Sequence, residues 1–262
     1  MSTVELLNQL VENLEGSIKP TEIYNEGWML KCVMEQIKEG EIELEKWKIP
    51  KGEMWLSETL VPSFFRAVKR GDKLAETATN ADAIVGQIQI RKRTKWGIEI
   101  KKNCSCLYII EAKMYSKLSN GVSKAPEFNQ CARSVACLIK MIYDGIEKNE
   151  IDEIPDKIGF YVLLPRNHKY VADFEEKINE DSIKKSIKDR FTPYFNNEII
   201  KKDYKEIKEK ELNWLKDKLD ELIGKIDVKL IFWEELIEST KNSETKEQLN
   251  EFYKKCQNPY SK

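Results

Sequence analysis

Residues 108–116 read YIIEAKMYS, a stretch in which an apolar run ends in two residues of opposite charge. An apolar, β-branched run is typical of a strand that is buried on both faces, and here it ends in Glu111-Ala112-Lys113. Because side chains alternate across a strand, Glu111 and Lys113 point to one side and Ala112 points to the other. Either the strand reaches the surface and these two charges form an exposed ion pair, worth at most about 1 kcal/mol, or they face a shared ion and water.

The composition restricts the chemistry that an active site in this chain can use. Its 262 residues are 41% apolar and 34% charged, which is consistent with one domain, residues 1–262, built on a substantial core. A net charge of −1 argues against a non-specific electrostatic coat on nucleic acid, but it leaves room for a local basic groove. The single histidine, His168, nearly excludes Ser-His-Asp and Cys-His catalysis. An enzyme with this composition is expected to use carboxylates, lysine and a hard cation.

Two features of the sequence bear on localisation. No apolar run approaches the roughly 20 residues of a membrane span, and no secretory signal is recognisable. The six cysteines lack zinc-site spacing, and Cys131 and Cys137 fall in an apolar helical pattern. We therefore expect a cytoplasmic protein with reduced thiols and without a membrane partner.

The periodicity of apolar residues predicts an alternation of helices and strands. The predicted helices cover 2–16, 22–39, 53–71, 126–145, 203–223 and 234–255. The predicted strands cover 82–91, 97–102, 106–113, 158–164 and 226–233. This order predicts an α/β fold with a mixed central β-sheet flanked by helices, with helical N- and C-terminal elaborations that include 171–224.

Two further acids can join Glu111 in such a fold. Asp82 begins the first predicted strand, and Glu58 lies in the predicted helix 53–71, which can approach from the same side. Asp82 as a turn residue and Glu58 on a solvated helix face are the alternatives. Carboxylates that meet at one point repel each other unless a cation compensates them, and Mg²⁺ accepts oxygen ligands while keeping several waters. Lys113 beside such an ion can orient a water or stabilise charge on a phosphate.

The order Asp82, β-hairpin, Glu111-Ala112-Lys113 resembles the PD-(D/E)XK nuclease superfamily, which has the restriction-endonuclease-like fold. The resemblance covers about residues 55–165, with 226–233 as a further strand of the core. Two departures are visible: Ala81 replaces the proline that is common in the motif, and the interval between Asp82 and Glu111 is longer than usual.

The resemblance implies a Mg²⁺-dependent endonuclease that hydrolyses phosphodiester bonds, most often in DNA during restriction, defence or repair, with Mn²⁺ able to substitute. It implies that Asp82, Glu111 and the backbone carbonyl of Ala112 hold the metal. Glu58 would assist at the metal, and Lys113 would position the attacking water.

The resemblance also suggests substrate contacts. Family members often carry Gln or Arg on the helix that follows the motif, and Gln130 and Arg133 share a helix face at i, i+3. Two basic loops are candidates for contacts to a phosphate backbone, with solvated surface charge as the alternative reading. Their candidate residues are Arg91, Arg93 and Lys95 in the first loop and Arg166 and His168 in the second.

A second hypothesis is a catalytically inactive nuclease fold that binds nucleic acid or a protein partner. Many relatives of this fold dimerise. The helices predicted at 203–223 and 234–255 are the candidate surface for a homodimer or another partner.

Overall fold

The computed structural model describes most of the chain. The described residues are 2–13, 18–67, 70–72, 74–76, 78–91, 97–121, 125–196 and 207–258. The N-terminal helices are α1 (Thr3–Asn13), α2 (Pro20–Ile23) and α3 (Glu26–Glu39). The middle helices are α4 (Gln130–Glu147), α5 (Val171–Lys177) and α6 (Glu180–Asn196). The C-terminal helices are α7 (Ile207–Lys225), α8 (Trp233–Glu238) and α9 (Ser243–Gln257).

The strands form one five-stranded mixed sheet and one two-stranded sheet. The main sheet contains β1 (Trp55–Val61), β2 (Thr79–Gly86), β5 (Cys106–Ala112), β6 (Lys157–Leu164) and β7 (Ile226–Phe232), in that spatial order. The pairs β1–β2 and β2–β5 are antiparallel, whereas β5, β6 and β7 are parallel. The small sheet pairs β3 (Ile88–Ile90) with β4 (Ile98–Ile100). The prediction of a mixed α/β fold with a central sheet flanked by helices is confirmed.

Helices cover both faces of the main sheet, which explains why its central strands are apolar throughout. On one face, Leu107 and Ile109 of β5 belong to a core that includes residues of α4, α6 and α7. On the other face, Tyr108 and Ile110 belong to a second core that includes residues of α3, α8 and α9. Glu111 and Lys113 continue the alternation of Leu107 and Ile109, so the strand pattern directs them to the face covered by α4.

The strand register aligns three acidic residues across the sheet. The pairs Ala83–Ile110 and Ile84–Ile109 put Asp82 opposite Glu111. The pairs Ser57–Ala83 and Thr59–Ala81 put Glu58 opposite Asp82. These three acidic residues of separate strands are therefore neighbours across the sheet near the end of β5.

The helix predicted at 53–71 is wrong, because residues 55–61 form strand β1. Trp55, Leu56 and Leu60 fit a helical spacing, but this short segment pairs with β2 at every residue except Glu58. Tertiary pairing overrides a local periodicity of this length. Glu58 is therefore a strand residue, and its backbone has a φ of 50°.

Two other predicted elements are divided in the structure. The strand predicted at 82–91 is interrupted after Gly86, where the chain leaves the main sheet and enters the small one. The helix predicted at 234–255 is two helices, α8 and α9, and Asn242 caps the second by accepting a hydrogen bond from Thr245 N at 3.0 Å. The helix predicted at 203–223 agrees with α7 from Ile207 onward, since 203–206 lie outside the described residues.

The described helices contain no candidate membrane span. None of them combines the length and the apolar character that crossing a bilayer requires.

Gly86 is the backbone position on which the junction between the two sheets depends. Its φ is 141°, and a Cβ added there would lie 2.2 Å from the carbonyl oxygen of Cys106. We expect Gly86→Ala to lower the free energy of unfolding by about 2 kcal/mol or more, because it adds backbone strain to a clash with a buried strand.

Urea unfolding followed by circular dichroism measures this effect. Gly224→Ala is the matched control, because no atom lies within 4 Å of the added Cβ and the residue is in helix α7. That control should stabilise the protein by about 0.5–1 kcal/mol. Equal stability of the two variants would contradict the assigned role of Gly86.

Candidate active site

The end of β5 carries a buried network of one ammonium and two carboxylates. Lys113 Nζ donates a hydrogen bond to Glu111 Oε1 and lies 3.7 Å from Asp82 Oδ2. It also lies 3.1 Å from the carbonyl oxygen of Ala112. Glu111 is only 2% exposed and Lys113 is 7% exposed. The structure thus brings together the three residues of the sequence motif and excludes the exposed ion pair considered for Glu111 and Lys113.

Backbone contacts fix this network in place. The amide of Ala112 donates to Asp82 Oδ2 at 2.8 Å, so the Asp82 side chain is held against β5. The amide of Lys113 donates to Leu163 O at 2.8 Å, and the indole of Trp233 donates to Lys113 O at 3.1 Å. The strand that carries the motif is therefore bonded on both sides, which limits movement of the charged groups.

Helix α4 supplies the next contact. Gln130, its first residue, donates a side-chain hydrogen bond to Glu111 Oε1, whereas its predicted contact with substrate stays a prediction. The side-chain oxygen of Gln130, Oε1, in turn accepts a hydrogen bond from Ser119 N at 3.2 Å. Glu111 Oε1 thus receives two donors, whereas Glu111 Oε2 is buried and has no hydrogen-bond partner among the described residues.

Glu26 is a site residue that the sequence analysis missed. It is the first residue of α3, and its Oε2 accepts a hydrogen bond from Met114 N at 2.7 Å. Asn25 caps that helix by accepting from Trp28 N at 3.0 Å. The sequence signal was an Asn-Glu pair at a helix start, but nothing local connects it with Met114, 88 residues later.

Glu58 occupies the outer side of the site. It is 62% exposed, and its Oε1 lies 3.7 Å from Lys31 Nζ of α3. An ideal Cβ on Gly27 would be 3.3 Å from Glu58 Oε1, so the side chain extends toward the start of α3. The predicted helix was wrong, but Glu58 still approaches the same end of the sheet.

The electrostatics of the site are dominated by burial. Burial, followed by the charge of Asp82, raises the pKa of Glu111, and Lys113 opposes the shift. Burial also raises the pKa of Glu26, against the hydrogen bond from Met114 and the charge of Lys113. For Lys113, burial favours the neutral amine, but Glu111 and Asp82 together raise its pKa. The lysine is therefore the cationic partner of Glu111, whose raised pKa means that it holds its proton more tightly than usual.

We tested whether these residues fit a divalent ion. No group of three or more His, Cys, Asp or Glu side chains arranged to hold a metal occurs in the described ranges. Mg²⁺ needs only one or two protein carboxylates, since waters complete its octahedral shell. Glu111 Oε2, Asp82 and the Ala112 carbonyl supply only oxygen donors, and Glu111 Oε2 is a buried acceptor without a partner. These donors fit Mg²⁺ or Mn²⁺ because all of them are oxygen atoms and two of the groups are carboxylates.

The other predicted substrate contacts are spread more widely. Arg91 Nε donates to Ile98 O at 3.1 Å, and its guanidinium lies 3.5 Å from Asp144 of α4. Arg93 and Lys95 lie outside the described residues. Arg133 is placed near Glu76, where burial raises the carboxyl pKa and the charges of Arg190 and Arg133 oppose the shift.

The residues of the second basic loop are held by contacts within the protein. Arg166 forms two hydrogen bonds of 2.9 Å with the carboxylate of Glu238. His168 lies in a turn after β6, as predicted, but it is only 7% exposed. The expectation of a surface role for His168 is therefore wrong: its ring packs edge-on against Phe174, with centroids 5.1 Å apart.

Comparisons with known proteins add no assignment to this geometry. No family model, no curated protein and no solved structure matched the chain.

The raised pKa of Glu111 generates a pH prediction for metal binding. A proton and a divalent ion compete for the same carboxylate, so the apparent affinity for Mg²⁺ should increase as the pH rises through the raised pKa of Glu111. We expect up to about a tenfold gain per pH unit below that pKa, where one proton is displaced. Calorimetric titration with MgCl₂ at several pH values measures this gain.

Glu111→Gln should abolish both the binding and its pH dependence. Glu43→Gln is the matched control, because Glu43 is an exposed glutamate paired with Lys241. Binding that persists unchanged in Glu111→Gln would show that the ion binds elsewhere.

Proposed function

We propose that this chain is a divalent-metal-dependent nuclease of the PD-(D/E)XK type with a restriction-endonuclease-like core. It would hydrolyse phosphodiester bonds in nucleic acid, with DNA as the expected substrate. The observation that carries the proposal is the network at the end of β5. There Asp82 and Glu111 face each other across two strands, and the Lys113 ammonium contacts both.

Some residues of the site would bind the divalent ion, and others position the residues that bind it. Asp82, Glu111 and the Ala112 carbonyl would hold the ion, and Glu58 would assist from the outer side. Gln130 fixes the orientation of Glu111 through its hydrogen bond to Oε1. Glu26 fixes Met114, the residue directly after Lys113. When bound, the divalent ion would supply a Lewis acid for the phosphate and lower the pKa of a bound water.

Lys113 has the central role in this proposal. Its ammonium is the counter-ion of Glu111 and Asp82, and those two groups keep it protonated. With their charge compensated by the ion, Lys113 would be released to contact the attacking water and an oxygen of the scissile phosphate. A fixed cation aimed at developing negative charge in a buried site lowers the barrier to hydrolysis.

Substitution of the buried pair tests the proposal. We expect Lys113→Met and Glu111→Gln each to reduce cleavage by at least about 100-fold, because each removes a group that acts on the reacting phosphate or on the ion. Both substitutions keep the approximate volume of the side chain. Cleavage of supercoiled plasmid and labelled oligonucleotides with Mg²⁺, Mn²⁺ or EDTA measures the effect.

Matched controls separate chemistry from folding. Lys185→Met and Glu43→Gln alter exposed residues of the same types and should leave cleavage unchanged. Full cleavage by both buried-site variants would refute the site. If the unaltered chain neither cleaves nor gains thermal stability from Mg²⁺, the inactive binding module is the better description.

A further inference from the structure

A cavity of about 370 Å³ opens beside the candidate active site. Its walls come from the segments that directly follow β5 and β6 and from the end of α9, and they include Met114 and Pro165. The volume falls in the range of ligand pockets, about 300–1,000 Å³. Ligands in open α/β sheets bind outside the carboxyl ends of parallel strands, which is where this cavity lies.

One wall of the cavity presents an aromatic ring that is held in position. Tyr115 is two residues beyond Lys113 and is 55% exposed, one of the most exposed large apolar residues of the described chain. Its hydroxyl donates to Cys256 O at 2.9 Å, so the ring is anchored at one end and open on its surface. A fixed and exposed tyrosine ring provides a surface for stacking at little entropic cost.

The polar lining residues of the cavity include two amides, a lysine and the buried His168, and no acid is among the lining residues that the structure describes. Asn167 is exposed, and its side chain has no hydrogen-bond partner among the described residues. Gln257 donates through Nε2 to the hydroxyl of Tyr253 at 2.9 Å, which leaves its carbonyl oxygen available. Lys169 adds a positive charge near the opening. Hydrogen-bond donors and acceptors beside an aromatic ring suit a planar heterocycle. The charge of Lys169 suits an anionic group attached to that heterocycle.

His168 is itself a lining residue of the cavity and is only 7% exposed. Its Nδ1 accepts from Tyr170 N at 3.3 Å, and its amide donates to Pro165 O at 3.1 Å. These contacts fix the turn that carries Asn167 and Lys169. The opposite end of the turn is bonded as well, since Arg166 N donates to Glu234 Oε2 at 3.0 Å.

We propose that this cavity binds a single unpaired nucleobase of the nucleic-acid strand, stacked on Tyr115 and hydrogen-bonded by Asn167 and Gln257. The inference rests on the proposed nuclease function and specifies its substrate class. That class is a strand with an unpaired nucleotide beside the cleaved bond, as in an overhang, a mismatch or a single strand. A base within a duplex cannot reach such a pocket unless it leaves the stack, and extrusion is easiest for a base without a partner.

Equilibrium binding in EDTA tests the proposal without any cleavage. Three fluorescent hairpins are compared by anisotropy: fully paired, with one unpaired thymine, and with an abasic residue at that position. The intact chain should bind the unpaired-thymine hairpin about tenfold more tightly than the other two, in line with the strength of base–aromatic stacking. RNA versions of the hairpins establish which nucleic acid supplies the base.

Variants assign the preference to the cavity. Tyr115→Ala and Asn167→Ala should each remove most of it, while binding to the paired and abasic hairpins stays unchanged. Tyr115→Phe keeps the ring and should keep most of the preference. Met54→Ala alters another exposed apolar residue and is the control. Equal affinity of the intact chain for all three hairpins, or no binding to any, would overturn the inference.

A photochemical measurement on the intact chain guards against misfolded variants. 5-Iodouracil at the unpaired position should cross-link to Tyr115, and the same base within the paired hairpin should not. Cross-linking elsewhere on the chain would refute the pocket. Cleavage without any preference for an unpaired base would overturn this inference alone, whereas a preference without cleavage would overturn only the nuclease proposal.

Discussion

The site depends on one constraint, the register between β2 and β5. That register sets Asp82 directly opposite Glu111, and the alternation along β5 puts Lys113 on the same side as Glu111. A shift of one residue would send the side chains of one strand to the other face and separate the charges. Because a buried carboxylate without a partner costs several kcal/mol, the register and the ion pair depend on each other.

Three helices make hydrogen bonds to residues at the end of β5. Helices α3 and α4 both begin beside the end of β5, and their first residues, Glu26 and Gln130, bond to Met114 N and to Glu111. Helix α8 closes the third side through Trp233, whose indole bonds to Lys113 O. Elements remote in sequence thus meet at Glu111, Lys113 and Met114, at or just beyond the end of β5.

The sequence allowed the strand at 106–113 and the buried strand at 158–164 to be predicted, because each leaves a local signal. It placed Glu58 on a helix, since seven residues at mixed spacing fit either period and only pairing with β2 decides. It missed Glu26, whose connection to Met114 spans 88 residues. His168 was assigned to the surface because a polar residue in a loop gives no sign that Phe174 will cover it.

The charge balance of the site gives a physical reason for a divalent partner. Asp82, Glu111, Glu26 and Glu58 are four carboxyl groups, and the cations in contact with them are Lys113 and Lys31. Full ionisation would leave an excess of two negative charges, which burial opposes by raising the pKa values of Glu111 and Glu26. In the proposed function, one divalent ion would offset that excess and let both acids ionise. Binding of the ion in place of these protons would also free Lys113 to contact phosphate. Proton release, ion binding and substrate contact are therefore expected to be linked steps at this site.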